Sequence, residues 1–386
     1  MLLLAVTNLL TLPPLSLYVH VPWCIQKCPY CDFNSHTAKG ELPERDYVNA
    51  LLQDFETSLD AIQGRKLHSI FIGGGTPSLL SPSAYERLFA GLRQHIEFSD
   101  DIEITLEANP GTFEQDKFTG FRQTGINRLS IGIQSFQDEK LKKLGRIHHG
   151  EEAQRAVGMA FTAGFTNINL DLMHGLPNQS QDDALFDLKT AIALKPTHLS
   201  WYQLTIEPNT VFYSRPPVLP EDDALWDIQE AGQALLAESG YQQYEISAYS
   251  QPGRQSRHNL NYWQFGDYIG IGAGAHGKLT LLEEGAILRN WKTRLPTDYL
   301  NPAKPFEAGN RILTEEERPL EFMMNALRLN DGVEAGQFSQ RSGLPLSSIA
   351  DAVKEAQHQN LLSTDSQKLQ PTRKGSLFLN DILALF

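Results

Sequence analysis

The chain has 386 residues, enough for two or three domains, and 41% of them are hydrophobic, an ordinary share for a water-soluble globular protein. Its 46 acidic residues against 33 basic ones leave a formal charge of −13, which excludes a bulk electrostatic attraction for nucleic acid or for an anionic membrane. The three cysteines are odd in number and all lie between positions 24 and 31, which argues against a disulfide framework and for a reducing cytoplasm.

Residues 1–14 read as an extension. Met1 to Leu12 is apolar, carries no Lys or Arg, lacks a small-residue cleavage pattern and is too short to span a bilayer. From Leu15 a strand–helix alternation begins. Ser16 to Val21 reads as a strand with the cysteine loop at its carboxyl end. Glu44 to Ile62 reads as a helix, because Val48, Leu51, Leu52, Phe55, Leu59 and Ile62 fall on one stripe. Ser69 to Ile72 is a second strand, followed by Gly73-Gly74-Gly75-Thr76-Pro77 and a helix near Ser81 to His95. Further strands are expected at Glu103 to Glu107, Arg128 to Gln134, Asn167 to Leu172 and His198 to Gln203, and a helix at Asp222 to Glu238. Repeated βα units predict an α/β fold with a parallel sheet and helices outside.

Alternation within the strands says more. Ile104 and Leu106 oppose Glu103, Thr105 and Glu107; Leu129, Ile131 and Ile133 oppose Ser130, Gly132 and Gln134; Ile168, Leu170 and Leu172 oppose Asn167, Asn169 and Asp171. The apolar faces can pack on helices, so the polar faces must line an interior. A closed eight-stranded barrel fills its interior with bulky branched side chains. A polar interior predicts instead an incomplete six-stranded (β/α)6 barrel with a wet lumen, over residues 15–240. Glu107, Gln134 and Asp171 end successive strands on that face, where the cysteine loop and the glycine run also sit. Ligands of parallel α/β folds bind at those ends, so these groups are expected at one mouth.

Cys24, Cys28 and Cys31 are spaced x3 and x2. Zinc would need a fourth ligand at matching short spacing. An iron–sulfur cube normally takes four cysteines, one per iron, so three thiolates would leave one iron open to a ligand that is not a cysteine. This spacing resembles the signature of the radical S-adenosylmethionine (SAM) superfamily, in which the open iron of a [4Fe–4S] cluster is chelated by SAM. The similarity extends over nearly the whole chain from Pro13. Tyr18-Val19-His20-Val21-Pro22-Trp23-Cys24, Gly73 to Pro77, Glu107-Ala108-Asn109-Pro110, Ile131 to Phe136 and Asp171 to Pro177 resemble the anaerobic coproporphyrinogen III oxidase family, and specifically its heme-chaperone branch.

The resemblance implies that Tyr18, Gly74, Gly75, Thr76, Glu107, Gln134, Arg146 and Asp171 contact SAM. Read without it, the glycine run is equally a tight βα turn, Tyr18 a packed strand aromatic and Arg146 a solvated surface cation. One position departs from the oxidases, which carry a fourth cysteine two residues after the third. Here Phe33 stands in that place, which argues against decarboxylation of coproporphyrinogen. His258-Asn259-Leu260-Asn261-Tyr262-Trp263 resembles the heme motif of the chaperone branch. A neutral imidazole can ligate heme iron, and Tyr262 and Trp263 offer flat faces to a porphyrin. Without the motif, the stretch reads as a polar turn capped by His258, with the aromatics packed in the core. His276 is a rival ligand, whereas His148 and His149 read as local structure beside Arg146.

Residues 241–305 are expected to hold the heme motif and a connection, and residues 306–386 a small, mostly helical domain that resembles a winged helix. Its helices are expected at Glu315 to Leu329, Gly336 to Arg341, Ser347 to Gln359 and from Thr372, with two short strands about Asp365-Ser366. From Arg311 on there are eight basic and ten acidic residues, which argues against DNA and for a lid or docking module. Three functions follow in order of preference. The first is a cytoplasmic heme chaperone holding a [4Fe–4S] cluster and SAM, with heme as cargo, acceptor apo-hemoproteins and an electron donor as partners. The second is a radical-SAM enzyme acting on a porphyrinogen or another substrate through a 5′-deoxyadenosyl radical. The third is an iron–sulfur regulator. The residues assign no catalytic side chain, and a homodimer is compatible with the chain.

Overall fold

The computed structural model describes residues 9–111 and 117–386. The first eight residues of the expected amino-terminal extension lie outside the described residues. Six parallel strands follow one another in chain order: β1 (Leu15–Val21), β2 (Leu67–Gly74), β3 (Phe98–Ala108), β4 (Arg128–Gln134), β5 (Ile168–His174) and β6 (His198–Gln203). Each pairs with the next in parallel. Helices α1 (Glu44–Glu56), α2 (Pro82–Leu92), α3 (Phe118–Gln123), α4 (Gly150–Thr162) and α5 (Gln181–Ala193) connect them. The predicted first helix is shorter than expected. It ends at Glu56, and a separate 3-10 turn covers Leu59–Ile62.

The core lies between the strands and these helices. Leu17, Ile70, Leu106, Ile131 and Leu170 from the strands meet Leu51, Leu88, Val157 and Leu188 from the helices, all fully buried. Burial of such residues is the main favourable contribution to this layer. The expected incomplete six-stranded barrel therefore stands: β1 and β6 do not pair with each other, so the barrel does not close.

Residues beyond 240 hold more sheet than the sequence suggested. After α6 (Asp222–Glu238), β7 (Gln242–Glu245) and β8 (Ala248–Ser250) form an antiparallel pair, with β8 against β6. A short helix, α7 (Arg257–Trp263), carries the chain across to the other edge. There β9 (Asp267–Ile271) pairs with β1 in parallel, and β10 (His276–Leu281), β11 (Ala286–Lys292) and β12 (Glu307–Ile312) continue antiparallel. The result is a single twelve-stranded sheet.

Two physical reasons hid these strands. Lys278 and Lys292 occupy core positions, with side chains only 1% and 2% exposed. Each is paired with a buried acid, Asp267 and Asp54 respectively, and a lysine inside a strand otherwise reads as a surface residue. Strand β12 lies at the sheet edge with most residues exposed, so it shows no apolar alternation and falls within the stretch expected to be mostly helical.

The carboxyl-terminal part has its own core of Phe322, Met323, Phe338, Ile349, Leu361 and Ile382, shared with Phe265 of the turn before β9 and Ile287 of β11. Its helices are α8 (Arg318–Ala326), α9 (Ala335–Ser342) and α10 (Ala350–His358), followed by short helices at Arg373–Leu377 and Leu379–Leu383. Lys368–Leu369 pairs with Val333–Glu334, and Leu362 bridges Pro371. This gives the small β element expected near Asp365 a partner strand that precedes α9. Among the described residues no helix is long and apolar enough to cross a membrane.

Candidate functional site

The polar faces of the strands do line an interior, and their side chains satisfy one another. Asn169 Nδ2 donates to Ser130 Oγ at 2.7 Å and to Asp171 Oδ1 at 2.8 Å, and Ser130 Oγ donates to Asp171 Oδ2 at 2.9 Å. His198 joins Asn169 at 2.6 Å and the Tyr244 hydroxyl at 2.9 Å. On the opposite wall Ser16, Ser69 and His258 form a second chain, with Asn261 donating to Ser16 at 2.9 Å. Buried polar groups are tolerated when paired in this way.

Above these networks, at the carboxyl ends of the strands, opens a cavity of about 480 Å³. All three cysteines line it. Cys24 ends a two-residue strand, Trp23–Cys24, that pairs with His36–Thr37, and is buried, whereas Cys28 and Cys31 sit on the following loop and are partly exposed. A 3.2 Å bond from the Cys31 amide to the Cys28 carbonyl turns that loop. Burial pushes the Cys24 and Cys31 thiols above their usual range. A bound metal reverses this preference, because a coordinating thiol is deprotonated.

The glycine run seats against the cysteine loop. The Gly75 and Thr76 amides donate to Val21 and Trp23 carbonyls, both at 2.7 Å. A Cβ on Gly75 would stand 2.5 Å from Trp23 O and 3.0 Å from Cys24 Sγ, so only glycine permits this approach. Gly74 adopts φ +115°, and its amide donates to Glu107 Oε2 at 3.2 Å. Burial, reinforced by the charge of Asp171, raises the Glu107 carboxyl to about 8. Burial also raises Asp171.

Arg146 ties the mouth together. Its guanidinium donates to Asn109 Oδ1 and the Gly132 carbonyl, both at 2.7 Å, and approaches Cys28 Sγ at 3.6 Å. Asn109 in turn donates to Thr76 Oγ1 at 3.0 Å. Gln134 accepts from the Tyr202 hydroxyl at 2.9 Å. It holds a left-handed φ of +69°, next to a register shift between Gly132 and Gln134. A non-glycine in that region is strained, and such strain concentrates at functional sites.

Of the residues expected around SAM, Gly74, Gly75, Thr76, Glu107, Gln134, Arg146 and Asp171 line the cavity. Tyr18 is not among its lining residues and instead bonds His20 Nδ1 at 3.0 Å. The heme motif divides along α7. Asn259 and Trp263 face the cavity. His258 is 1% exposed, its Nδ1 bonded to Ser69 Oγ at 3.0 Å, its ring 5.1 Å from Phe71 and 4.6 Å from Tyr262. Its Nε2 has no hydrogen-bond partner among the described residues, and burial, with Arg128 adding to it, lowers its pKa to about 3. His276 is exposed at the start of β10. His148 bonds the Ile133 carbonyl, and His149 caps α4 beside Asp138.

Ser200, Tyr202, Tyr30, Glu245 and Arg328 also line the cavity. Period two on β6 would have found Ser200 and Tyr202, which alternate with the buried Leu199 and Trp201. Nothing local marks Glu245 or Arg328, which reach the cavity from β7 and from the carboxyl-terminal part.

Comparison with known proteins agrees with this geometry. A model of the Radical SAM superfamily matches residues 18–191, and one of the HemN C-terminal domain matches residues 313–378. The heme chaperone HemW of Haemophilus influenzae is 54% identical over 97% of this chain and 98% of its own. The chain belongs to the HemW family. The Escherichia coli HemW is 55% identical over the same shares of the two chains, and the Bacillus subtilis HemW is 32% identical over 96% and 98%. Among solved structures, the radical SAM enzyme coproporphyrinogen III oxidase (HemN) of Escherichia coli superposes with a TM-score of 0.81. It is 25% identical and covers 99% of this HemW-family chain and 91% of its own.

Proposed function

We propose that this protein is a cytoplasmic heme chaperone. Cys24, Cys28 and Cys31 hold a [4Fe–4S] cluster, SAM occupies the cavity over it, and heme is taken up beside α7 for delivery to acceptor hemoproteins. The observation that carries the reading is the convergence of three thiols, the glycine run, Glu107, Arg146 and two heme-motif residues on one cavity.

The donor set fits a cluster better than a single ion. Among the described residues no three His, Cys, Asp or Glu side chains are gathered closely enough to hold one metal ion. A cube takes one thiolate per iron, so its ligands stand farther apart than those of one zinc. Held by Cys24, Cys28 and Cys31 and reduced by a partner protein, such a cluster would supply the electron for reductive cleavage of SAM. The chain's own residues do the rest. Gly74 and Gly75 would leave room for the amino-acid part of SAM, Glu107 would accept from its ammonium, and Arg146 holds the cysteine loop against β4. For heme, Trp263 presents its ring and Asn259 an amide. Ligation of heme iron by His258 Nε2 requires α7 to turn outward, since the ring is closed off from the cavity.

A second reading, a porphyrinogen-converting enzyme, draws on the whole-chain likeness to the oxidase structure. Against it, Phe33 stands where the oxidases carry their fourth cysteine, 58% exposed at the cavity rim. Two measurements test the proposal. Anaerobically reconstituted protein should bind heme with a Soret band and pass it to an apo-hemoprotein, and Cys→Ser at 24, 28 or 31 should abolish a full four-iron complement. Incubation with coproporphyrinogen, SAM and reductant should yield no protoporphyrinogen; its accumulation would establish the second reading instead.

A further inference from the structure

Arg328 belongs to the carboxyl-terminal part, two residues beyond α8, yet its side chain lines the cavity of the cysteines. The backbone holds it there. Leu329 bridges Glu245 at the end of β7, the Asn330 amide donates to the Tyr244 carbonyl at 3.1 Å, and Asn330 Nδ2 donates to the Gln243 carbonyl at 3.0 Å. The guanidinium lies 4.3 Å over the ring of Trp263, on α7. Two separate elements thus meet at this wall of the cavity.

Their hydrogen-bonding capacity is not met. Among the described residues the Arg328 side chain makes one hydrogen bond, a 3.3 Å approach of Nη2 to Glu245 Oε2. The other oxygen of Glu245 is taken by the amide and hydroxyl of Ser247. Arg328 Nε and Trp263 Nε1 are both buried with no hydrogen-bond partner among the described residues. A guanidinium presents five donors in a planar fork and an indole presents one. Buried donors without an acceptor are destabilising, and here two of them neighbour each other beside an open cavity. The other arginine lining the cavity, Arg146, is already bonded to Asn109, Gly132 and Cys28. The missing group is therefore an acceptor, anionic, and borne by something with a flat apolar body to lie along Trp263.

We propose that Arg328 and Trp263 form a carboxylate-binding subsite for a propionate side chain of a porphyrin, with the guanidinium supplied by the carboxyl-terminal part of the chain. The proposal rests on the heme-chaperone reading and specifies how that cavity recognises its cargo. Glu245 holds Arg328 in place until the ligand's carboxylate displaces it, and fork-to-carboxylate pairing favours arginine over lysine there.

The test compares heme with its dimethyl ester, which keeps the iron and macrocycle but lacks both carboxylates. Each is titrated into the full-length protein in the same dilute detergent and followed by the Soret band. Unaltered protein should bind heme about tenfold or more tighter than the ester. Arg328→Met should remove that preference by weakening heme alone, Arg328→Lys should keep part of it, and Glu245→Gln should tighten heme severalfold. A SAM titration of the cluster-loaded protein separates the other carboxylate source, since Arg328→Met should leave it unchanged. Equal binding of heme and ester by unaltered protein would overturn the subsite while leaving heme binding intact. So would a preference that survives Arg328→Met, or a loss of SAM rather than heme affinity in that variant. Binding of neither compound would overturn the chaperone reading and the subsite with it.

Discussion

The main-chain amide of Gly74 donates to Glu107 Oε2 at 3.2 Å, joining the glycine run at the end of β2 to the end of β3. This single bond opposes the two effects, burial and the charge of Asp171, that raise the Glu107 carboxyl from 4.5 to about 8. Between those values the folded protein keeps a proton that the unfolded chain has lost. Stability must therefore fall as pH rises through the window, with the penalty absent below 4.5 and complete above about 8. Glu107→Gln removes the titration. Melting temperatures of the cluster-free protein should decline across this window relative to those of the variant, and parallel curves would contradict the assignment.

Gly75→Ala places a Cβ 2.5 Å from Trp23 O and 3.0 Å from Cys24 Sγ. The backbone must shift where the first cysteine is held, at roughly 2 kcal/mol of stability, and iron content after reconstitution should drop. Gly158→Ala is the control, because that position on α4 is exposed and its Cβ would meet nothing within 4 Å. It should gain up to about 1 kcal/mol from helix propensity and load iron normally.

Arg146→Met deletes a cation 3.6 Å from Cys28 Sγ. It also leaves Gly132 O without the guanidinium that donates to it. The three cysteines remain, so iron analysis should show the cluster retained. With less positive charge beside it, the reduced cluster is harder to form, and the midpoint potential should move negative by tens of millivolts. An unchanged potential in a fully loaded variant would show that Arg146 does not neighbour the cluster.

Lys292→Met breaks the buried pair that fastens β11 to α1, where Asp54 also accepts from the Tyr299 hydroxyl and the Gly272 amide. It strands a carboxylate whose pKa burial already raises, so urea denaturation should report a loss of about 3 kcal/mol or more. Adding Asp54→Asn removes the stranded charge and should recover part of that loss. A double variant no more stable than the single one would refute the coupling.

His258 shows where motif and structure diverge. The motif resemblance offers it to heme iron, while the fold seats it on Ser69 against Phe71 and Tyr262, with Nε2 unpartnered. The helical phase of α7 decides this: positions 259 and 263 share the cavity face, and positions 258 and 262 share the face turned into the barrel. A helix of only seven residues carries too weak a pattern for that phase to be read in advance.

What could be read directly from the residues is what contiguous residues determine. Period-two alternation marked the lumen faces of β3, β4 and β5, and short spacing marked the cysteine triad and the glycine run, because each depends only on neighbours along the chain. Tertiary structure alone decided that Lys278 and Lys292 are core residues, that residues beyond 240 extend the sheet at both edges, and that Glu245 and Arg328 reach the cavity. These depend on partners that other elements supply: Asp267 on the strand beside Lys278, Asp54 on α1 for Lys292, and Trp263 on α7 for Arg328. A buried charge is stable only beside the group that neutralises it, and no local pattern says where that group will be.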